Sequence, residues 1–389
     1  MLKLPTPVRI GEGAFPKFSP DGKLIAFTLC EEFPRDANGI SYEIYTMKPD
    51  GTCLECLTGG KPELEGTRWK GQSFWHPSGD YITFTAENAR YPRKGIGTTA
   101  RPGLGRNHNV WIMTKDGRKF WQITDYPENW GVIRPSFSKD GSLLFWNEEY
   151  SMEKYPQGRP EDPDDDPGTP GWQGHPGSYW GSESFRYRKG EEFGAWRMRI
   201  AKISFENGEP KASDLLTVEL PEGFTLIEGA GFTPSGDSLI CSCVNLKETK
   251  GKGLWGDICT VEFSGKIIRR LTRTPFIHDE NPEFSPDGRR IIWNASQGDP
   301  GEGEELWIMD SDGKNKTRLT HFAKRGFKEY DPCARQITEF SWNPDGKSVI
   351  FGHVSLPVRA KSRLPSTLYR LDLVNVLRFL DSKKSKKVR

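Results

Sequence analysis

Apolar residues along this chain come in short runs, not in helical stripes. LIAF spans 24–27, YITF 81–84, LLFW 143–146, LICS 239–242, IIW 291–293 and VIF 349–351. These runs have the length and the Ile, Phe and Trp content of buried strands. A polar stop precedes every run. It reads FSPDG at 18–22, WHPSG at 75–79, FSKDG at 137–141, FTPSG at 232–236, FSPDG at 284–288 and WNPDG at 342–346. Proline presets φ, Asp and Ser bond locally, and Gly takes φ > 0, so the stop predicts a tight turn between two strands. Six copies make it an internal repeat.

A second phrase falls between copies: EIYTMKPDG at 43–51, VWIMTKDG at 110–117 and LWIMDSDG at 306–313, with weaker forms at 198–208, 257–265 and 367–373. A third often follows, as CLT at 56–58, QIT at 122–124 and RLT at 270–272 and 318–320. Each unit therefore predicts four strands, A to D, with tight A–B and C–D turns. Six such units predict an all-β fold, a six-bladed β-propeller of four-stranded antiparallel blades. With these phrases the chain resembles the TolB-type, WD40-like (PD40) six-bladed propellers. The resemblance implies the fold and is nearly silent on activity, because such propellers serve as docking domains, peptidase modules and polysaccharide lyases. One domain is expected over 6–375, with an insertion at 147–195 in blade 3 and a basic tail at 376–389. Pro7 to Ile10 should supply the outer strand of the last blade and so close the ring.

Composition narrows the classes. Of 389 residues, 28% are charged and 34% hydrophobic, which excludes a disordered tail. No apolar run reaches the ~20 residues of a spanning helix. The formal net charge of +2 does not by itself point to a polyanion. The N-terminus, MLKLPTPVRIGEG, has no apolar signal core, so a cytoplasmic protein with reduced thiols is expected. The seven cysteines read as structural, and the lone CxxC of Cys53 and Cys56 lacks the second pair of a zinc site.

The long connections, B–C and D–A, must share one face, here called the decorated face. Binding residues concentrate on such loops. The loop at 86–108 carries Arg90, Arg93, Lys94, Arg101 and Arg106 against Glu87, and ends at His108. Arginine suits carboxylate or phosphate, and the glycines allow close backbone approach to a ligand. The bland alternative is a solvated loop paired with its acidic neighbour. That neighbour, 147–195, opens with PEDPDDDPG at 160–168, which lacks the alternation of a calcium loop. Its second half gathers His175, Tyr179, Trp180, Arg186 and Tyr187 at 171–190, as a lid over the decorated face or as a local aromatic core.

His76 takes the Ser position of the turn phrase and reads as structural. His108, His175, His278 and His353 fall near the decorated face. No cofactor is evident, but imidazoles so placed leave a divalent metal open. Walker and GxSxG motifs are absent. The leading reading is a binding or interaction module. Its partner would be a protein or an anionic small molecule or oligosaccharide; nucleic acid and a membrane span are not expected. The alternative is a carbohydrate-active enzyme, a β-eliminating lyase on a uronate sugar. That chemistry needs a cation on the carboxylate and a base for the α-proton. Its candidates are the same Arg, His and Tyr residues, with His278 and Arg335 from other loops.

Overall fold

Each turn phrase dictates a hairpin, and the hairpins assemble into blades. The computed structural model describes residues 4–32, 40–92, 102–150, 196–249, 255–274, 277–296, 303–355 and 366–385. Its strands form six four-stranded sheets in simple up-and-down order. Strands A to D run from the central axis outward. Blade 1 is Ala14–Phe18, Ile25–Glu32, Ile40–Met47 and Glu55–Cys56. Blade 2 is Lys70–Trp75, Tyr81–Glu87, His108–Thr114 and Phe120–Gln122. Blade 3 is Gly131–Phe137, Leu143–Glu149, Trp196–Glu206 and Glu209–Val218. Blade 4 is Phe224–Phe232, Ser238–Asn245, Asp257–Glu262 and Ile267–Arg270. Blade 5 is Asp279–Phe284, Arg290–Ala295, Glu305–Asp310 and Thr317–Arg318. Blade 6 takes Ala334–Trp342, Ser348–Ser355 and Ser366–Asp372 from the end of the chain and Val8–Glu12 from its start. This is the expected six-bladed propeller.

Closure follows the expected route. Val8 pairs with Arg370 and Glu12 with Thr367, antiparallel, so one sheet unites both ends of the chain and two open edges disappear.

The turn phrase does the same thing in every blade. Gly22, Gly79, Gly141, Gly236, Gly288 and Gly346 all have φ between 68° and 77°, a region costly for other residues. Each glycine N–H donates to the carbonyl three residues back at 2.8–2.9 Å. Asp21, Asp140 and Asp287 each accept the neighbouring Ser hydroxyl at 2.6–2.7 Å. His76 fills the Ser slot in blade 2, with Nδ1 2.9 Å from the Ser78 hydroxyl and its ring edge-on to Phe137.

The LT phrase has its own task. Thr58, Thr124, Thr272 and Thr320 each accept the N–H of Ile44, Val110, Ile258 and Leu306 at 2.8–2.9 Å. Thr58 and Thr320 also donate to Glu43 and Glu305 at 2.6 Å. The hydroxyl thereby locks the start of strand C to the end of strand D, and the buried acid finds its partner.

Among the described residues the apolar core is divided into six seams, one between each pair of neighbouring blades. The seam between blades 5 and 6 has an addition. Where the sequence reading has only a basic tail from 376, Val374–Ser385 is a helix. Asp372 accepts the Val374 N–H at 2.9 Å, and Val376 and Leu380 are buried in the seam. The apolar i, i+4 pair precedes the lysines, which mask it in composition. Strand B of blade 3 ends at Glu149 and strand C begins at Trp196, so 151–195 lies outside the described residues.

Candidate functional site

The inner strands line the channel, and each carries a bulge. Register slips between Ala14 and Lys17, Gly71 and Phe74, Ile133 and Ser136, and Glu280 and Glu283. At these bulges Phe15, Gln72, Arg134 and Asn281 take φ of 49–54°. A bulge re-aims the side chain it carries, here toward the axis.

The side chains so aimed build a polar hub. Arg134, from blade 3 and 2% exposed, donates NH1 to Asn281 Oδ1 of blade 5. It lies 3.5 Å from Glu228 of blade 4 and 3.8 Å from Glu339 of blade 6. Its own N–H donates to Gln72 Oε1 of blade 2 at 3.2 Å, and Gln72 Nε2 donates to Glu339 at 2.9 Å. Lys17 of blade 1 donates to Glu283 at 3.0 Å and to the Phe340 carbonyl at 2.7 Å. All six blades meet here. Two cations face three carboxylates, so full ionisation would leave the hub negative. Burial pushes the Glu228 carboxyl up to about 8, with Arg134 pulling against it and Glu339 adding to the push. At neutral pH Glu228 therefore holds a proton, and the hub balances. Burial disfavours the Arg134 charge, but Glu339, Glu228 and Glu283 outweigh it and raise its pKa.

Above the hub, toward the decorated face, the end of the 86–108 loop covers the inner strands. Pro102 is buried. A Cβ on Gly71 would come within 2.7 Å of Pro102, one on Gly103 within 3.0 Å of the Phe15 ring, and one on Gly105 within 2.1 Å of the Val132 carbonyl oxygen. The glycines of this loop thus bring its backbone against the propeller's own strands. Arg106 is 5% exposed, with NH2 3.7 Å from Glu149. His108 is fully buried at the start of strand C, opposite Glu87.

Between blades 5 and 6 a second buried group forms. His278 Nε2 lies 2.8 Å from Glu280. Asn294 Nδ2 donates to Glu280 at 2.9 Å and to Glu304 at 3.0 Å, and Glu304 accepts the Ile337 N–H at 2.9 Å. Burial and the charge of Glu280 push the Glu304 carboxyl well above its usual range. Glu280 goes the other way: burial opposes its charge, but His278 and Asn294 hold its pKa below the usual value. Arg335 is half-buried beside this group, with NH1 on the Ala334 carbonyl at 3.1 Å. His353 stacks on Phe322 with ring centroids 4.0 Å apart, and burial pushes it down to about 4. Among the described residues, no group of three or more His, Cys, Asp or Glu side chains is placed to hold a metal ion.

Arg90 sits apart from these, at a cleft of about 520 Å³ on blade 2. Its side chain pairs with Asp125 and bonds Asn88 Oδ1 at 3.3 Å. The lining brings Glu63, Glu65, Glu87 and Asp125 around this one cation, with Trp111 and Asn109. Arg93, Arg101, His175, Tyr179, Trp180, Arg186 and Tyr187 lie outside the described residues. Of the described candidates, Arg106 and His108 share the cover over the channel, His278 and Arg335 the group between blades 5 and 6, and Arg90 the cleft.

The hub itself is not among the sequence-derived candidates. A signal for it exists. Counting back three and one positions from the aromatic of each turn phrase reaches Gln72, Arg134, Asn281 and Glu339, then Lys17 and Glu283. The repeat that marks the turn also marks the channel wall.

No protein-family model matches the chain, and no curated protein matches it. Solved structures do. A provisionally named TolB from Agrobacterium tumefaciens is 14% identical, over 93% of this chain and 90% of its own, with a TM-score of 0.50. TolB from Acinetobacter baumannii is 14% identical over 91% of this chain, with a TM-score of 0.49; the match spans 64% of that longer protein. An oligogalacturonate lyase in complex with manganese is 14% identical, over 93% of this chain and 90% of its own, with a TM-score of 0.46. At such identity the likeness is one of fold: the chain is a TolB-like six-bladed β-propeller.

Proposed function

We propose that this propeller is a binding module whose partner meets the decorated face, with the blade 2 cleft as a principal contact. The carrying observation is that cleft: about 520 Å³, on the face of the long loops, with the exposed carboxylates of Glu63, Glu65 and Asp125 around one arginine. Its charge favours a cationic group, and Trp111 offers an aromatic face. A basic segment of a protein partner has both the charge and the reach. The axis is less suitable for docking, because its polar groups are engaged with one another in the hub.

The test is a titration with an oligo-arginine peptide, with oligo-glutamate as control. Oligo-arginine should bind, with affinity that falls as salt rises. Asp125→Lys should weaken it about tenfold or more, equivalent to ~1.4 kcal/mol. Equal affinity for both peptides, or no response to Asp125→Lys together with Glu65→Lys, sinks the reading. The β-eliminating alternative has less support, since Arg106, His108 and His278 are buried within the scaffold. Unsaturated product from oligogalacturonate, with or without manganese, would restore it.

A further inference from the structure

Three of the seven cysteines gather on one face of blade 4. Cys241 and Cys243 are two apart on strand B, and Cys259 lies on strand C directly opposite Cys241. Alternation along a strand sends all three side chains to the same side, into the seam with Phe145, Met198 and Val218 of blade 3. Each is at most 1% exposed. Such thiols ordinarily act as small apolar fillers. This group departs from that in one respect: Cys243 Sγ lies 2.8 Å from Cys259 Sγ. Packed side-chain atoms without a bond sit about 3.5–4.0 Å apart. Bonded sulfurs sit about 2.0 Å apart. The two thiols thus stand on strands already paired, Cys243 diagonal to Cys259, with Asp257 directly opposite Cys243.

We infer that Cys243 and Cys259 form a disulfide across strands B and C of blade 4, made as the blade closes during folding. The co-reactant is a low-molecular-weight disulfide. The thiolate of one cysteine attacks it, forming a mixed disulfide and releasing one small thiol. The second cysteine, as thiolate, then attacks the protein sulfur and releases the other small thiol. One sulfur–sulfur bond breaks and one forms, two electrons pass from the protein to the reagent, and the two cysteine protons end on the released thiols. The timing follows from burial. In the finished fold no reagent of that size reaches either sulfur. Hydrogen bonding among the sulfurs and burial also raise both thiols' pKa, away from the reactive thiolate. Before the seam with blade 3 forms, both obstacles are absent. The bond would tie off the B–C loop at 246–256 and brace the strand pair that blade 3 packs against.

The experiment uses the full chain without substitution. The protein is reduced in denaturant and refolded in a mixture of reduced and oxidised glutathione. It is then denatured, alkylated and mapped by mass spectrometry. The expected result is a linked Cys243–Cys259 peptide with exposed Cys53 not joined to either. The melting temperature should exceed that of protein refolded with reductant alone. Cys241→Ser should leave the bond intact. Folded, reduced protein given oxidised glutathione should keep both thiols while Cys53 reacts. Recovery of Cys243 and Cys259 as alkylated thiols after oxidative refolding overturns the inference. So does a bond from Cys259 to Cys241, and rapid bonding in the already folded protein overturns the timing.

Discussion

The two ends of each inner strand follow different rules. At the plain-face end every blade repeats one turn, with the same glycine φ and the same hydrogen bonds. At the bulge a few residues earlier, the six blades carry Phe15, Gln72, Arg134, Gly229, Asn281 and Glu339. Four of these bulges share a backbone conformation while differing in side chain. The ring needs identical turns, because each blade must hand the chain on in the same way. It needs different bulges, because six identical charges on one axis would repel. Repetition builds the scaffold, and departure from repetition makes it cohere.

The comparison is sharpest at Arg134. Arg134→Met removes the cation that Glu228 and Glu339 face in the hub, and should cost about 3–5 kcal/mol in urea unfolding. A cost under about 1 kcal/mol would mean the hub is not cooperative. Next in size is a repeated contact that is buried. Thr320→Val leaves the Leu306 N–H and the Glu305 carboxylate short of a partner, and should cost about 1–3 kcal/mol by the same measurement.

Glu228 gives a pH signature. Its folded pKa of about 8 lies above the unfolded value, so the folded state holds the proton more tightly. That contribution is full below the unfolded pKa and is lost as pH rises through 8. Stability should fall by about 1 kcal/mol between pH 7 and 9, and Glu228→Gln should flatten that slope. His321 and His353, pushed down to about 4 by burial, titrate below this window. An unchanged slope in the variant would reassign the titration. The smallest effect belongs to the exposed turn. Asp287→Ala removes one turn acceptor, matched by Asp21 in blade 1 and Asp140 in blade 3, and should cost about 1 kcal/mol or less in urea unfolding.

This contrast also explains what could be read from the sequence. The turn phrase, the strand runs and the closing N-terminal strand are local patterns, and each folds as its pattern directs. The hub is a contact among residues up to 323 positions apart, such as Lys17 and the Phe340 carbonyl, and no local pattern pairs them. Arg106 and His108 look like surface chemistry on a basic loop. Their burial depends on Gly103 and Gly105 approaching Phe15 and Val132, which belong to other blades. The cleft has no local sequence signature for a similar reason. Its acids come from the connection between blades 1 and 2, from the end of strand B of blade 2 and from the segment after strand D of blade 2, which lie near one another only once blades 1 and 2 are packed.

The central claim, that the decorated face binds and the plain face carries the repeat, is tested most directly by hydrogen–deuterium exchange with the oligo-arginine probe bound. Protection in 63–67, 87–92 and 122–126, with none in the turns at 285–288 and 343–346, is the result expected here. Protection confined to those plain-face turns would contradict it.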